Sequence, residues 1–504
     1  MMKHRLSSLV LLLIASPWLG AQAQSTATEC VSGDAALAAI DPLFEAFARE
    51  QHVPGLIYGV VREGRLVHCK AVGVSNVATQ EPVTIDTVFR IASMTKSFTA
   101  LAVLKLRDAG KLSLEAPAAR WVPELAQSRY PAADAREIRV LDLLAHTAGF
   151  VTDDPWGDRQ LDMPDAEFSR VVAAGIPFAR TPGVAWEYSN YGYALLGRVV
   201  TNASGVRYQD YVQREILQPL GMKSSGWEAA RIPAKLRAIG YRYEDATWRE
   251  EPVLADGAFT SMGGLHTSAR DYLAYVNFLL SAWADRETAS SAIVAKHSRR
   301  QLAQGTGLPG LSLANPADPT SCAAARVYGM GMHSSRDCRF DVAVGHSGGL
   351  PGYGSNVLLL PHYDLGIFAF ANRTYTPASA VVQRAAARLY DTGVLKKRPI
   401  APSDALKRAQ EVVAKIYAAG AVRAVPEALA NNFLLDRDAE KRDADLAAVK
   451  TTLRNCKSES KMDVKHALSA TLRFPCDRGT LVATVLLAPT MEPSLQVLRF
   501  AAED

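Results

Sequence analysis

The alternation of apolar and polar positions divides the chain into a short strand-bearing start, a long helical middle and a strand-bearing return. Residues 35 to 49 place apolar side chains at helical spacing and predict an amphipathic helix. Gly55-Leu-Ile-Tyr-Gly-Val-Val-Arg62 then reads as a strand, Glu63-Gly64 as a turn, and Arg65 to Val74 as the returning strand of a hairpin. A mostly apolar helix opens near Ser93, runs through Leu101, Val103, Leu104 and Leu106, and stops at Gly110. From there to about residue 300 the pattern is mainly helix and loop with Pro and Gly punctuation. Within it, Leu141 to Gly149 predicts a short helix. Thr267-Ser268-Ala-Arg-Asp271 reads as a capping box opening a helix from Tyr272 to Trp283. Period-2 alternation returns in Phe340 to Val344, Ser355 to Leu360 and Gly366 to Ala371, with a turn at Pro361-His-Tyr-Asp364 and a helix from Pro377 to Tyr390.

A hairpin at one end and strands at the other, bracketing a helical insertion, predict an α+β fold. One antiparallel sheet is built from both chain ends and flanked by helices, with a mainly helical lobe beside it. Lys396-Lys-Arg-Pro-Ile-Ala-Pro402 has linker composition, and a helix (Asp404 to Tyr417) and strands (Gly479 to Leu487, Leu495 to Phe500) follow it. The expected organisation is residues 1–23 as a secretory signal, 33–393 as the main domain, 394–402 as a linker and 403–504 as a small α+β domain. The signal reading rests on Lys3, His4 and Arg5, the apolar run Leu9 to Ala15, and Ala21-Gln22-Ala23 as a cleavage site. That apolar run is too short to span a bilayer unaided.

Composition changes this picture little. The chain has 504 residues, 48% of them hydrophobic and 21% charged, which is ordinary for globular domains. A net charge of +5 with no basic cluster among aromatics gives nucleic-acid binding no support. The six cysteines matter more, because export permits disulfides. Six cysteines allow fifteen connectivities, and the sequential pairing Cys30–Cys69, Cys322–Cys338 and Cys456–Cys476 is favoured because each pair sits within one predicted unit. No C-x-x-C or H-x-x-x-H spacing suggests a metal, and no cofactor is expected.

The candidate chemistry starts at Ser93 and Lys96, which share one helix face. A serine needs an adjacent base to become a nucleophile, and a lysine serves only when burial lowers its pKa. Chance supplies about one or two such S-x-x-K pairs in a chain this long. The other pair, Ser458 and Lys461, lies in a charged run and reads as solvated surface. Downstream, Tyr188 and Asn190 offer a phenol and an amide that can complete a proton-transfer site. Tyr275-Val-Asn277 repeats their spacing within a predicted helix and reads as packing. His346-Ser347-Gly348-Gly349 follows one strand and precedes another, with backbone N–H groups free to polarise a carbonyl. Gly345 to Gly349 also fits G-x-S-x-G and makes Ser347 a rival nucleophile. A nucleophile elbow needs strand, turn and then helix, and Leu350-Pro-Gly-Tyr-Gly354 does not start one. His146 reads as a structural histidine bonding a loop backbone.

Taken in order, Ser93-Met-Thr-Lys96, Leu143-Leu-Ala-His-Thr-Ala-Gly149, Pro182-Gly183 with Tyr188-Ser-Asn190, Gly263-Gly264-Leu265 and His346-Ser-Gly-Gly349 resemble the serine β-lactamase and penicillin-binding-protein superfamily. The similarity is greatest to class C β-lactamases, serine D-alanyl-D-alanine carboxypeptidases and family VIII esterases. It covers residues 35 to 390 and leaves the C-terminal domain outside. The resemblance implies that Ser93 forms an acyl-enzyme, with Lys96 and Tyr188 as the proton-transfer pair. It further implies an oxyanion hole from the N–H groups of Ser93 and Gly349, substrate contacts from His346, Ser347 and Gly348, and Asn190 holding either the substrate side chain or Lys96. Typical β-lactamases carry Lys-Thr-Gly where this chain has His346-Ser347-Gly348. A mostly neutral histidine attracts a β-lactam carboxylate less. The expectation is therefore an exported serine hydrolase, periplasmic or secreted, acting on a small ester, a peptide or a cell-wall-like substrate. A true β-lactamase, or a binding or scaffold protein without turnover, stands as the alternative.

Overall fold

The structure is a computed structural model that describes residues 29–32, 35–284, 292–305, 307–314 and 322–503. The predicted signal at 1–23 lies outside the described residues. The chain divides into two compact units between Lys396 and Lys397.

In the first unit the main sheet comprises β1 (Glu29–Ser32), β2 (Gly55–Arg62), β3 (Arg65–Asn76), β4 (Gly307–Ser312), β5 (Ala324–Tyr328), β6 (His333–Arg336), β7 (Ala343–Leu350), β8 (Tyr353–Leu360) and β9 (Leu365–Ala371). Their order across the sheet is β1-β3-β2-β9-β8-β7-β6-β5-β4, and a short strand, Glu81–Pro82, also pairs with β3. All these pairings are antiparallel, and β2 lies against β9 from Leu56↔Ala371 to Arg62↔Leu365. The sheet is therefore closed by strands from the two ends of the unit, as the returning period-2 pattern predicts.

The two faces of the pleat enter different cores. Tyr58, Val60, Ile367 and Ala369 face α1 (Asp41–Glu50) and α6 (Ala378–Asp391), where Phe44 stacks on Tyr58 with ring centroids 3.7 Å apart. Ile57, Val61, Phe368 and Phe370 face the helical lobe. That lobe contains α2 (Thr95–Asp108), α3 (Asn190–Ser204), α4 (Thr260–Gly263) and α5 (Ala269–Leu280). Every residue of α2 from Thr95 to Leu104 is buried, as expected of a helix without a wide polar face.

The mainly helical and loop region from 110 to 300 also carries short strands: Tyr241–Glu244 pairs with Thr247–Glu250, and His266–Ser268 pairs with Val88–Arg90. Two readings of the pattern need correction. The helix assigned to Tyr272–Trp283 spans Ala269–Leu280, because Ser268 itself caps it by accepting the Asp271 N–H at 3.2 Å. The Asp271 carboxylate does not complete a capping box but accepts from the Ser224 N–H and the Ser225 hydroxyl. Finally, His346 to Gly349 lie inside β7 rather than between strands. Glycines weaken a strand signal, yet here they let neighbouring backbone come close.

The second unit pairs α7 (Asp404–Ala419) and α8 (Ala439–Leu453) with an antiparallel sheet of β10 (Lys461–His466), β11 (Ser469–Pro475), β12 (Thr480–Leu487) and β13 (Leu495–Glu503), in that order. Alternate residues of β12 are buried, so one face of this sheet meets the helices. Leu406, Val413 and Ile416 pack with Leu472, Phe474, Leu481 and Val485. Cys456 and Cys476 are bonded here, and Cys322 and Cys338 in the first unit. Cys69 is also disulfide-bonded, while the side chain of Cys30 is outside what is described.

Candidate active site

Ser93 lies in a single 3-10 turn, Ala92–Met94, that leads directly into α2. Several contacts clamp this turn. The Ile91 N–H donates to the Leu265 carbonyl at 3.0 Å, and the Ser355 hydroxyl on β8 donates to the Ile91 carbonyl at 2.7 Å. Ala92 takes a left-handed conformation, φ +51°, which costs a residue with a Cβ about 1–2 kcal/mol. Gly348 shows why the glycines of β7 are needed. A Cβ there would stand 2.3 Å from the Ile91 oxygen and 3.0 Å from the Ala92 Cβ.

Lys96 is fully buried, and its ammonium is surrounded by acceptors. Nζ lies 3.1 Å from Ser93 Oγ, 2.7 Å from Asn190 Oδ1 and 2.9 Å from the Met262 carbonyl of α4. Nζ also stands over the Tyr188 and Tyr193 rings, 4.9 and 5.4 Å from their centroids. Burial pushes the Lys96 pKa down to about 8, although the charges of Asp154, Asp158 and Asp153 act to raise it. An amine with that pKa, touching a serine hydroxyl, can act as a base near neutrality. The Tyr188 phenol goes the other way. Burial and the Asp154 charge hold it well above the usual tyrosine range, against a hydrogen bond with Ser93 that lowers it.

Asn190 is the first residue of α3, whose N-cap Ser189 accepts the Gly192 N–H at 3.2 Å. The backbone N–H groups of Asn190 and Tyr191 both donate to Asp153, each at 2.7 Å. The Asn190 amide nitrogen donates to Asp154 and, at 3.4 Å, to Asp158. Asp158 also accepts from the Tyr375 hydroxyl at 3.0 Å. Burial and neighbouring Asp154 push its pKa up to about 7.

His346 is buried on the same pleat face as Gly348. Its Nδ1 meets the Ser347 carbonyl at 2.5 Å, so Nε2 is left to accept from the Tyr328 hydroxyl at 3.0 Å. That pairing requires a neutral ring. Burial, followed by the charges of His333 and Lys96, pushes its pKa well below the usual value. Ser347 is exposed on the opposite pleat face and accepts from Asn356 Nδ2 at 3.1 Å. It lines a cavity of about 360 Å³ with Arg326, Ser335 and Gln383. β6 pairs with β7 only as far as Gly345, which leaves the edge from His346 to Leu350 open on that side among the described residues. Gly349 stands beside Tyr375, whose ring would lie 3.0 Å from an added Cβ.

The structure thus gathers Ser93, Lys96, Tyr188 and Asn190 into direct contact and brings His346, Gly348 and Gly349 alongside. Ser347 is turned away from the serine–lysine pair by the pleat. His146 is buried with its imidazole 4.3 Å from the Tyr188 ring, and Nδ1 accepts the Ser189 N–H at 3.1 Å. Tyr275 packs on Phe98 and donates to Ser97, and Ser458 and Lys461 are exposed, all in line with the sequence reading. Sequence reasoning missed Asp153, Asp154, Asp158, Tyr375 and the Met262 carbonyl. Asp153-Asp-Pro-Trp-Gly-Asp158 has the composition of a surface turn. Its one hint is three carboxylates in six positions.

The chain is similar to several known proteins. The protein flp of Staphylococcus aureus strain MW2 is 29% identical over 339 residues, covering 66% of this chain and 62% of its own length. The chain therefore spans less than two thirds of that relative. The esterase EstB of Burkholderia gladioli is 36% identical over 242 residues, which is 44% of this chain and 58% of that protein. Among solved structures, the octameric penicillin-binding protein homologue of Pyrococcus abyssi shares the fold, with a TM-score of 0.57 at 22% identity, covering 90% of this chain and 92% of that one. A class C beta-lactamase of Rhodobacter sphaeroides gives 0.55 at 24% identity, covering 71% and 99%. The beta-lactamase family model matches residues 40–392, and the chain belongs to the beta-lactamase family.

Proposed function

We propose that the protein is an exported serine hydrolase that cleaves an ester or a D-amino-acid amide through an acyl-serine intermediate. The observation that carries this reading is the buried Lys96 amine, 3.1 Å from the Ser93 hydroxyl and with its pKa lowered to about 8. Neutral Lys96 takes the hydroxyl proton as Ser93 Oγ bonds to the carbonyl carbon. The N–H groups of Ser93 and Gly349 hold the resulting oxyanion. Tyr188, kept protonated, passes a proton to the leaving oxygen or nitrogen as that bond breaks, and Lys96 returns one to the phenol. Water then repeats the sequence on the acyl-enzyme and frees the acid.

The substrate lies along the open edge of β7 past Gly349, Gly348 and His346, with Ser347 and its cavity on the opposite face of the pleat. Neutral His346 gives a β-lactam carboxylate little attraction, which favours ester and amide substrates. The stretch shared with an esterase supports the same class. The two described disulfides support export, with residues 1–23 as the signal and a periplasmic or secreted location.

The test is Ser93→Ala. Hydrolysis of p-nitrophenyl esters and D-alanyl peptides, and labelling by a fluorophosphonate acyl-serine probe, should all be abolished. Labelling that survives in Ser93→Ala and vanishes in Ser347→Ala overturns the assignment. Absence of wild-type turnover on the esters, the peptides and nitrocefin favours a scaffold, and fast nitrocefin turnover favours a β-lactamase.

A further inference from the structure

The amide of Asn190 has two ends, and charge fixes which end points where. Its oxygen accepts from the Lys96 ammonium at 2.7 Å, and its nitrogen donates to Asp154 and to Asp158. Turning the amide over would set N–H groups against an ammonium and an oxygen against two carboxylates. Asn190 is consequently committed on both sides, and its NH₂ is not free to hold a substrate amide.

The loop that supplies the carboxylates is built to reach this position. Asp153 grips the first two N–H groups of α3. Gly157 lies so close that an added Cβ would stand 2.9 Å from the Asn190 Cβ and 3.2 Å from its Nδ2. Asp158 is buried and joins this contact to Tyr375, which stands beside Gly349. Asp154 is exposed, so it meets solvent on one side and Asn190 on the other.

We propose that Asp154 and Asp158 are positioning residues, which act through Asn190 to hold Lys96 against Ser93. The inference rests on Ser93 and Lys96 being the reacting pair. It assigns Asn190 to the lysine rather than to the substrate.

The same carboxylates bias the protonation of Lys96. The groups facing Lys96 are Asp153, Asp154 and Asp158 from the loop, His146 and His346 as imidazoles, and the Tyr188 and Tyr193 rings. Asp158 in turn faces Asp153, Asp154, Lys96 and Tyr375, with Arg159 near the Tyr375 phenol. A carboxylate close to a lysine favours its charged form. Neutralising one therefore makes Lys96 available as a base at lower pH.

The experiment is the pH profile of kcat/KM for p-nitrophenyl butyrate, with fluorophosphonate labelling of Ser93 run in parallel. Asp154→Asn keeps an acceptor for the Asn190 amide and removes the charge, and it should move the acidic limb down by about one pH unit. Asp158→Asn should do the same. Asp154→Ala removes acceptor and charge, and should add about a tenfold fall in the plateau. Because Asp154 is exposed, its variants test the proposal even where Asp158→Asn fails to fold. Limbs that coincide with wild type in both Asp154 variants, with Ser93 still labelled, overturn the proposal and leave the hydrolase reading standing. Labelling that persists in Ser93→Ala overturns the hydrolase reading instead.

Discussion

The Ser355 hydroxyl donates to the Ile91 carbonyl at 2.7 Å, two residues before Ser93, and so ties the sheet directly to the turn that presents the candidate nucleophile. Ile91 O also receives the Met94 N–H at 3.3 Å, so Ser355→Ala removes one of two partners rather than orphaning the oxygen. The expected loss is about 1 kcal/mol of stability, read as a lower denaturation midpoint. Hydrolysis should fall several-fold because the turn loosens.

The glycines of β7 separate by what surrounds them. Gly348→Ala forces a Cβ to 2.3 Å from the Ile91 oxygen and 2.2 Å from Ser355 Oγ. Overpacking of this kind costs about 1–3 kcal/mol, and the strain falls on the serine turn. Gly349→Ala meets only the ring edge of Tyr375 at 3.0 Å, which a shift of a few tenths of an ångström in that 39% exposed side chain relieves. Ester hydrolysis should drop about a hundredfold or more for Gly348→Ala and much less for Gly349→Ala.

The pH dependence follows from Lys96. Its pKa is lowered to about 8, and only the neutral amine can accept the Ser93 proton. At pH 7 about a tenth of the sites carry that form. The rate constant kcat/KM should therefore rise with pH and level off above pH 8, with half the plateau near pH 8. A profile flat between pH 6 and 9 would exclude Lys96 as the base. Lys96→Met should abolish both the limb and the activity.

Ala92 offers a test of stored strain. At φ +51° it occupies a conformation that glycine adopts without penalty. Ala92→Gly should keep the fold, because relief of that strain offsets the added freedom of the unfolded chain. Ala92→Val crowds a β-branched side chain into the same turn and should lower the melting temperature and the labelling rate together.

The sheet and its flanking helices were legible because their apolar periods are regular, as in Gly55 to Arg62 and in the helix after Pro377. The strand β7 was not, since Gly345, Gly348 and Gly349 interrupt the alternation that marks a strand. Ser93, Lys96, Tyr188 and Asn190 were legible from spacing and order. The second layer was hidden for a physical reason. Asp153, Asp154 and Asp158 sit among Pro and Gly and look like solvated turn residues, and only the folded chain brings them to Asn190. The Met262 carbonyl carries no side-chain signature at all, although it is one of the acceptors closest to the lysine.

The way the sheet closes also dictates when a site can exist. Gly55 donates its N–H to Asn372 at 2.7 Å, across 317 positions of sequence, and β2 beside it pairs with β9 along its length. Such distant partners make for slow, late assembly. A chain emerging N-terminus first would hold Ser93 and Lys96 long before it held the strands that clamp their turn. The candidate nucleophile would lack its clamp until nearly the whole first unit had been made, so the order of synthesis itself delays assembly of the candidate site until folding is complete.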